Sequence, residues 1–419
     1  MNIGIGIGIP FQNNNSTDWS AYWTPLGWDW ELPLTIQEKS GEFRVDPDFD
    51  LRTHANISVA KTYYLNTVSG NDGNSGLTSA LPKKTWNNII GAADADRIIV
   101  QDGSYLLRSE SSLTPARNTE VIGEGTVYFT SDRVDNLGVW SLTADQTYTF
   151  QSTVAGGEYI ARIYDEGTLD ANGNPTRYIV RTSVALVEAN PGSCYWAGGV
   201  IYVHTLNGLT PSGRTNIRYY DSNAAYIAVN NIFYFENINF RGGLSLRNGS
   251  VAGGAKSYLK NCSLMSAGIA GLSEIIFENC VQNNAAGDGV NYDALNGIET
   301  KAIEIGCDFG EGGTSTANQA STIHSESRIV RINGKYHHVT GQCIADVAVN
   351  SMTWCLGCSA YNSNSGVGFY AEGKMWLDTC HSYNNATYDL QNKAGSIIYT
   401  HNCTLEKGVN DIVGTLTPY

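Results

Sequence analysis

The sequence predicts an all-β chain wound as a solenoid of stacked parallel coils, with an N-terminal cap or docking segment and an antiparallel β insert. Three observations carry that prediction. A motif recurs eight times between residues 237 and 403, about every 24 residues, the length of one solenoid coil. Its leading positions are Asn237, Asn261, Asn279, Gly306, Asn333, Gly357, Thr379 and Asn402, and all but Thr379 are residue types that tolerate a left-handed backbone. A tight bend therefore recurs there. The next position is Cys262, Cys280, Cys307, Cys358, Cys380 or Cys403 in six copies, with Ile238 and Gly334 in the others, which fits small or apolar side chains stacking inward. Four residues ahead of it runs an unbroken apolar or aromatic column: Tyr234, Tyr258, Ile276, Ile303, Val330, Trp354, Trp376 and Tyr399.

Composition agrees. The 419 residues are 42% hydrophobic, enough to bury a sizeable core, while charged residues are only 16% and Gly reaches 45. That balance argues against disorder and coiled coil, which need more charge. A net charge of -14 argues against a nucleic-acid groove, which needs a basic surface to neutralise phosphates. The nine cysteines are an odd number without the dense spacing of a disulfide framework, so they are expected reduced and buried. Cys355 and Cys358 have the spacing of a zinc knuckle, yet no second pair follows at the expected separation and Cys358 belongs to the stacked column. No metal is expected. Calcium stays open, although no motif indicates it, and no other cofactor is implied.

Along the chain, residues 1–60 read as a leader. Met1 to Pro10 alternates Gly with Ile and has no basic residue ahead of the apolar part, so neither a Sec-type signal peptide nor a membrane span is expected. Trp19, Tyr22, Trp23, Trp28 and Trp30 cannot all sit exposed on a free arm without promoting association. They either plug one end of the main domain or dock to a particle or neighbouring subunit. Residues 61–134 read as the first coils. They hold a strand at Tyr63-Tyr64-Leu65, an Asn/Gly turn cluster over 69–76, a short helix-like stretch from Lys84, then Ile98-Ile99-Val100 and Gly103-Ser104-Tyr105.

Over those residues the sequence resembles the opening of right-handed, single-stranded parallel β-helix proteins of the pectate-lyase-like superfold. That group holds polysaccharide lyases, glycoside hydrolases, bacteriophage tailspikes and non-catalytic adhesins, so the resemblance implies a fold and not a reaction. Residues 135–225 interrupt the coils with alternating runs such as Thr147-Tyr148-Thr149-Phe150 and Val200-Ile201-Tyr202-Val203-His204, parted by turns at 170–175 and 190–193. They look like the antiparallel insert of many carbohydrate-active β-helices. Residues 226–419 form the main coils.

Strands alternate their faces, and stacked coils set equivalent positions about 4.8 Å apart. After the Asn/Cys bend, one outward column reads Asp308, Lys335, Ser359, His381, Thr404, and a second reads Gly310, His337, Tyr361, Tyr383, Glu406. Lys335, His337, Tyr361, His381 and Tyr383 are the candidate substrate-binding residues, with flat rings suited to stacking on sugars. A solvated face is the plainer alternative.

A third strand position carries an ionisable residue in each coil: Asp293, His324, Asp346, Glu372 and Asp389. If these stack, His324 lies between Asp293 and Asp346, two carboxylates two coils apart and near the upper end of the roughly 6.5–9.5 Å spacing of inverting glycosidases. Asp293, His324, Asp346 and Glu372 are therefore the candidate catalytic residues. Loops at 283–288 and 310–316 are the candidate groove walls. A one-residue slip of register would turn each side chain inward. The paired aspartates, Gly-His-Gly and Arg-Ile-Lys pattern of polygalacturonases is absent, and calcium and arginine motifs like those of pectate lyases are not evident, so neither family's roles transfer.

Together these features lead to the expectation of a phage-type tailspike or appendage protein that recognises a cell-surface polysaccharide and hydrolyses it through a paired acid and base. A lyase would use Lys335, His337 or Tyr361 for proton abstraction instead. The alternatives are a non-catalytic glycan-binding adhesin or structural fibre, and a secreted bacterial lyase or hydrolase. The expected setting is virion or extracellular, with a polysaccharide partner, a homotrimeric assembly and virion attachment through residues 1–60. A neutral or weakly charged glycan suits the net charge better than a densely anionic one.

Overall fold

A computed structural model describes residues 18–418 apart from 91–93, 108–116, 131, 134–137, 155–161, 170–174, 212–216, 221–224, 230, 249–254, 284, 286, 314–317 and 412–414. The Gly-Ile alternation at the start of the leader lies outside these residues. The chain is a parallel β-solenoid of about 10 turns whose coils contribute to three faces. The first sheet runs from Thr62–Leu65 through Ile232–Glu236, Thr300–Ile305 and Lys374–Asp378 to Thr415–Pro418. The second holds Asp308–Gly312, Lys335–Val339, Ser359–Tyr361 and His381–Tyr383. The third holds Val290–Asp293, Ser321–Ile323, Ile344–Asp346, Phe369–Ala371 and Leu390–Asn392.

The bend from the first sheet to the second is the expected one. All eight leading positions have positive φ, from 49° at Thr379 to 61° at Gly357. The following cysteines point inward, and their thiols donate to first-sheet carbonyls of the preceding coil: Cys280 to Leu259 at 3.4 Å, Cys358 to Arg331 at 3.3 Å and Cys380 to Cys355 at 3.4 Å. Cysteine suits the site because it packs as a small hydrophobe yet carries a weak donor. All nine cysteines are free thiols.

The apolar column ahead of the bend points out of the solenoid, and the leader explains its character. Residues 18–56 hold a three-stranded antiparallel sheet, Ser20–Ala21, Ile36–Lys39 and Glu42–Val45, and a one-turn helix, Leu51–Ala55. Asp50 caps the helix by accepting the Thr53 amide at 2.7 Å, and Asn56 ends it at φ 49°. Trp28, Trp30, Phe43 and Leu51 pack on Tyr258, Val330, Trp354 and Trp376. The leader therefore lies along the flank of the solenoid. Its other ties are polar: Arg52 to Glu120 at 2.8 Å, His54 to Glu274 at 2.8 Å, Asp29 to Arg328 at 2.8 Å and the Tyr22 hydroxyl to Asp378.

Between Asp132 and Tyr220 the chain leaves the coils for two small sheets, one of four strands and one of five, antiparallel except for the pairing of Ile179–Val180 with Ser193–Ala197. Trp140, Phe150, Tyr178, Ile201 and Val203 form their own core. Tyr164 packs on Met265 of the solenoid, and Arg177 donates to the carbonyls of Ala285 at 2.6 Å and Gly313 at 3.3 Å. The insert thus stands over the earlier coils at the corner between the second and third sheets.

The interior holds charges that the sequence patterns did not reveal. Glu304 and Arg331 face each other in register, both fully buried, with Arg331 Nε 3.3 Å from Glu304. Tyr292 and Ser321 donate to the same carboxylate at 2.6 and 2.9 Å, and Tyr336 donates to its other oxygen. Hydrogen bonds to both carboxylate oxygens and from Arg331 Nε and Nη2 to Ser321 offset the cost of burying the pair, while Arg331 Nη1 has no hydrogen-bond partner. Nearby, Asp346 also points inward and accepts from Ser351, while its second oxygen has no hydrogen-bond partner. Burial away from water pushes its carboxyl up to about 7.

Two stability outcomes follow. Thr379 is the one β-branched residue at a left-handed bend, so Thr379→Asn should raise stability by about 1 kcal/mol, read as a higher denaturant midpoint. A lowered midpoint would show that the hydroxyl bond from Thr379 to Asp378 outweighs the strain. For Asp346, the folded value lies above the unfolded one, so its contribution is complete below about pH 4 and is lost as pH rises through about 7. Asp346→Asn should therefore match the wild type near pH 4 and exceed it by up to about 4 kcal/mol near pH 8. Equal stability at both would mean that Asp346 ionises without cost.

Candidate functional site

The third sheet brings together part of the expected acid column. Backbone register makes Asp293, His324, Val347, Glu372 and Lys393 equivalent, because each of the last four donates its amide to the preceding coil in the same pattern. Asp346 sits one residue earlier, opposite Ile323 and Ala371, so its side chain faces the core. Asp389 is also buried, accepting from Ser382 at 3.0 Å and Asn385 at 2.8 Å. His324 is therefore not flanked by Asp293 and Asp346. The cause is the unequal length of the connections into this sheet, which moves the acid by one position and turns it through the sheet.

A different carboxylate takes that place. Asp288, from the wall loop, puts one oxygen 3.1 Å from His324 Nε2, and its other oxygen accepts the Gln319 amide at 3.0 Å and Asn318 Nδ2 at 3.4 Å. Asp293 lies on the preceding coil and accepts Ser325 Oγ at 3.3 Å, while Ser325 itself accepts the Ala294 amide at 2.5 Å. The hydrogen bond to Asp288 raises the His324 pKa, burial opposes it, and the charges of Asp288 and Asp293 add to the rise. His324 stays 39% exposed at its side chain, so a ring drawn toward its charged form is open to solvent. Beside it, Asn291 Oδ1 and Thr322 Oγ1 occupy paired positions of the same face and are buried without a hydrogen-bond partner.

Glu372 belongs to a separate group. Burial would raise its pKa, but the Lys393 amino group at 2.6 Å and the Tyr370 hydroxyl at 2.7 Å hold it below the usual carboxylate value. It lies three coils from Asp293, or about 14 Å at one coil per 4.8 Å, too far for either paired-carboxylate geometry. Ala345 and Val347 fill the coil between the two groups.

On the second sheet both outward columns form in the expected order. The rings stack on one another, however. Tyr361 stacks on Tyr383 with centroids 4.8 Å apart and planes 4° apart, His337 stacks on Tyr361 at 4.9 Å, and His381 lies tilted by 36° against Tyr383 at 4.6 Å. Rings stacked along the solenoid axis turn their edges to solvent. This corrects the expectation that sugars stack on them.

A hydrogen-bonded chain fixes one end of the ladder. His337 Nε2 lies 2.6 Å from Asp308, His337 Nδ1 lies 2.8 Å from His338 Nδ1, and His338 Nε2 lies 2.9 Å from Asn362 Nδ2. One tautomer set closes the chain: Asn362 donates to His338, His338 to His337, and His337 to the carboxylate. Burial and the neighbouring His337 lower the His338 pKa. Gly310 makes room for the arrangement, since a Cβ there would lie 2.6 Å from His337 Nδ1. Lys335 is exposed beside this chain.

Among the described residues no group of three or more His, Cys, Asp or Glu side chains is placed to hold a metal ion, and no helix is long and apolar enough to cross a membrane. Sequence reasoning missed the role of Asp288. The signal available was its place at the end of the wall loop, just ahead of the strand that carries Asp293.

No family model matches the chain, and no curated protein matches its sequence. Solved structures match in shape. One, described as a glycoside hydrolase, is 11% identical and aligns over 86% of this chain and 97% of its own, with a TM-score of 0.59. The complex of XylC with xylose is 11% identical over 85% of this chain and 68% of its own, with a TM-score of 0.51. The Gp54 tailspike of Acinetobacter baumannii bacteriophage AP22, in complex with a capsular saccharide, is 12% identical over 77% and 64%, and its TM-score of 0.23 carries no argument. At these identities the likeness shows the fold: the chain is a parallel β-solenoid of the architecture used by the first two.

Proposed function

We propose that the protein binds a polysaccharide along the third sheet and hydrolyses it at His324. The observation that carries this reading is the solvent-open His324, fixed by Asp288 through Nε2 and accompanied by Asp293 on the preceding coil. With Nε2 engaged, Nδ1 is the nitrogen that faces a ligand. In the proposed step His324 gives its proton to the glycosidic oxygen as the bond from that oxygen to the anomeric carbon breaks. Asp293 takes a proton from the water whose oxygen forms the new bond to that carbon. Asp288 orients the ring and stabilises its charge, as a carboxylate partner does for a catalytic imidazole elsewhere. The likeness to two solenoids whose descriptions name a glycoside hydrolase and a xylose complex supports the choice of substrate class.

One observation favours binding without cleavage. The carboxyl that burial raises, Asp346, lies inside the solenoid and not on this face. An adhesin would use the same face with His324 as a hydrogen-bond donor only. The finer setting, a tailspike or other virion appendage working outside the cell as a homotrimer, belongs to the same proposal. Attachment then falls largely to residues 1–17, which lie outside the described residues, because Trp28 and Trp30 are spent on the solenoid.

Incubation with capsular and other cell-surface polysaccharides, followed by reducing-end measurement, should show new ends. His324→Gln and Asp293→Asn should each lower the rate by about 100-fold or more, within the range for loss of an acid or base. Turnover unchanged in both variants would refute the site, and binding without new ends would leave the adhesin. Light scattering at micromolar concentration should report three chains, and a monomer would refute the trimeric appendage.

A further inference from the structure

We infer that the bare outer face of the second sheet, from Asp308 to Glu406, is a second binding surface, one that holds a neutral, hydroxyl-rich polymer away from the site of cleavage. For the class of ligand the inference rests on the proposed function; for the existence of the surface it does not.

Parallel sheets are ordinarily covered on both sides. Here the leader covers the first sheet and the insert stands over the earlier coils of the second, where Tyr164 meets Met265. Past the insert the second sheet carries two outward columns of polar side chains with no layer over them among the described residues. Lys335 is exposed, and Ser359, Tyr361, His381 and Tyr383 are partly so. The bend entering this sheet keeps its length from coil to coil, so the columns run straight and groups repeat about every 4.8 Å. The surface thus has a regular spacing suited to a repeating ligand.

The ladder is also rigid. Each ring is clamped by its neighbours, and His337 is further fixed by Asp308 and by His338, whose own backbone is held at φ 50°. Side chains already ordered lose little freedom when a ligand arrives. What they present is a row of edges. The hydroxyls of Tyr361 and Tyr383 make no hydrogen bond to any described residue and are available as both donors and acceptors. Both signs of charge are present on the face: Asp308 lies in register with Lys335, and Glu406 lies 3.8 Å from His381 Nε2. Neither an anionic nor a cationic polymer gains from such a surface, whereas a ligand that both gives and takes hydrogen bonds does.

The test is affinity electrophoresis of the full chain through gels containing dextran, galactomannan, xyloglucan or mixed-linkage β-glucan. Tyr361→Phe/Tyr383→Phe keeps every ring of the ladder and removes only the two hydroxyls, so loss of packing does not confuse the result. The wild type should be retarded by at least one of the polymers, and the double variant should bind it roughly tenfold more weakly, the effect of losing two neutral hydrogen bonds. Lys335→Ala should weaken retention in the same direction. Retention unchanged in the double variant but lost in Asp293→Asn would place binding on the third sheet alone and overturn the inference. A wild type retarded by none of the polymers would overturn it too. Reducing-end release is scored separately, so failure of the cleavage proposal and failure of this one are distinguishable.

Discussion

The left-handed bend after the first-sheet strands from Ile232–Glu236 to Ile397–His401 is the constraint on which the molecule depends. One residue with positive φ turns the chain from the first sheet to the second without any loop. The same residue aims the next side chain inward, where a thiol reaches a carbonyl of the coil before it. From Asn237 to Asn402 the connection keeps its length, so register does not drift at that corner, whereas one coil earlier the run from Ile122 to Tyr128 is three residues longer than the run from Glu236 to Asn239. Each of these eight coils then enters the second sheet in phase, and the straight columns of that face are a direct product. Variation in length is confined to the other corners, where the wall loops, the insert and the third-sheet cluster occur.

That division explains how far the residues could be read without coordinates. The coil repeat, the bends and both second-sheet columns follow from counting out from Asn333, Gly357, Thr379 and Asn402, since nothing intervenes between bend and strand. The third sheet is reached only after loops of unequal length, so counting fails by one residue at Asp346 and by four at Asp389, and both are buried. Asp293, His324 and Glu372 share a register, yet Val347 separates the last from the other two. Glu304 and Arg331 escaped notice for another reason. A charge in a strand reads as outward unless its partner is known, and each is the other's partner only through strand pairing across one coil. Stacking of the second-sheet rings on one another, rather than on a ligand, likewise follows from strand spacing once the columns are known to be straight.

The two polar faces differ in what their charges can do. On the third sheet His324 is drawn toward its charged form by its hydrogen bond to Asp288 and by the charges of Asp288 and Asp293. On the second sheet the imidazoles of His337 and His338 share hydrogen bonds in a chain that needs no added proton. The first arrangement suits proton transfer and the second suits fixed geometry. Both are held on one scaffold by the same backbone ladder, about one corner apart.

The leader meets the coils in reverse order. Residues near its end, Arg52 and His54, pair with Glu120 and Glu274, whereas Tyr22 and Trp28, made earlier, contact Trp354, Trp376 and Asp378. Tyr22 and Asp378 are 356 residues apart in the chain. On the ribosome, then, the first aromatic residues to emerge must wait until nearly the last coil has been wound before they can seat. Until that moment the outward aromatic flank stands open, a period in which a second copy's leader could take the place of the first. The solenoid's coils pair with their neighbours, but the leader's contacts with the late coils are of high sequence separation and can form only after those coils are made.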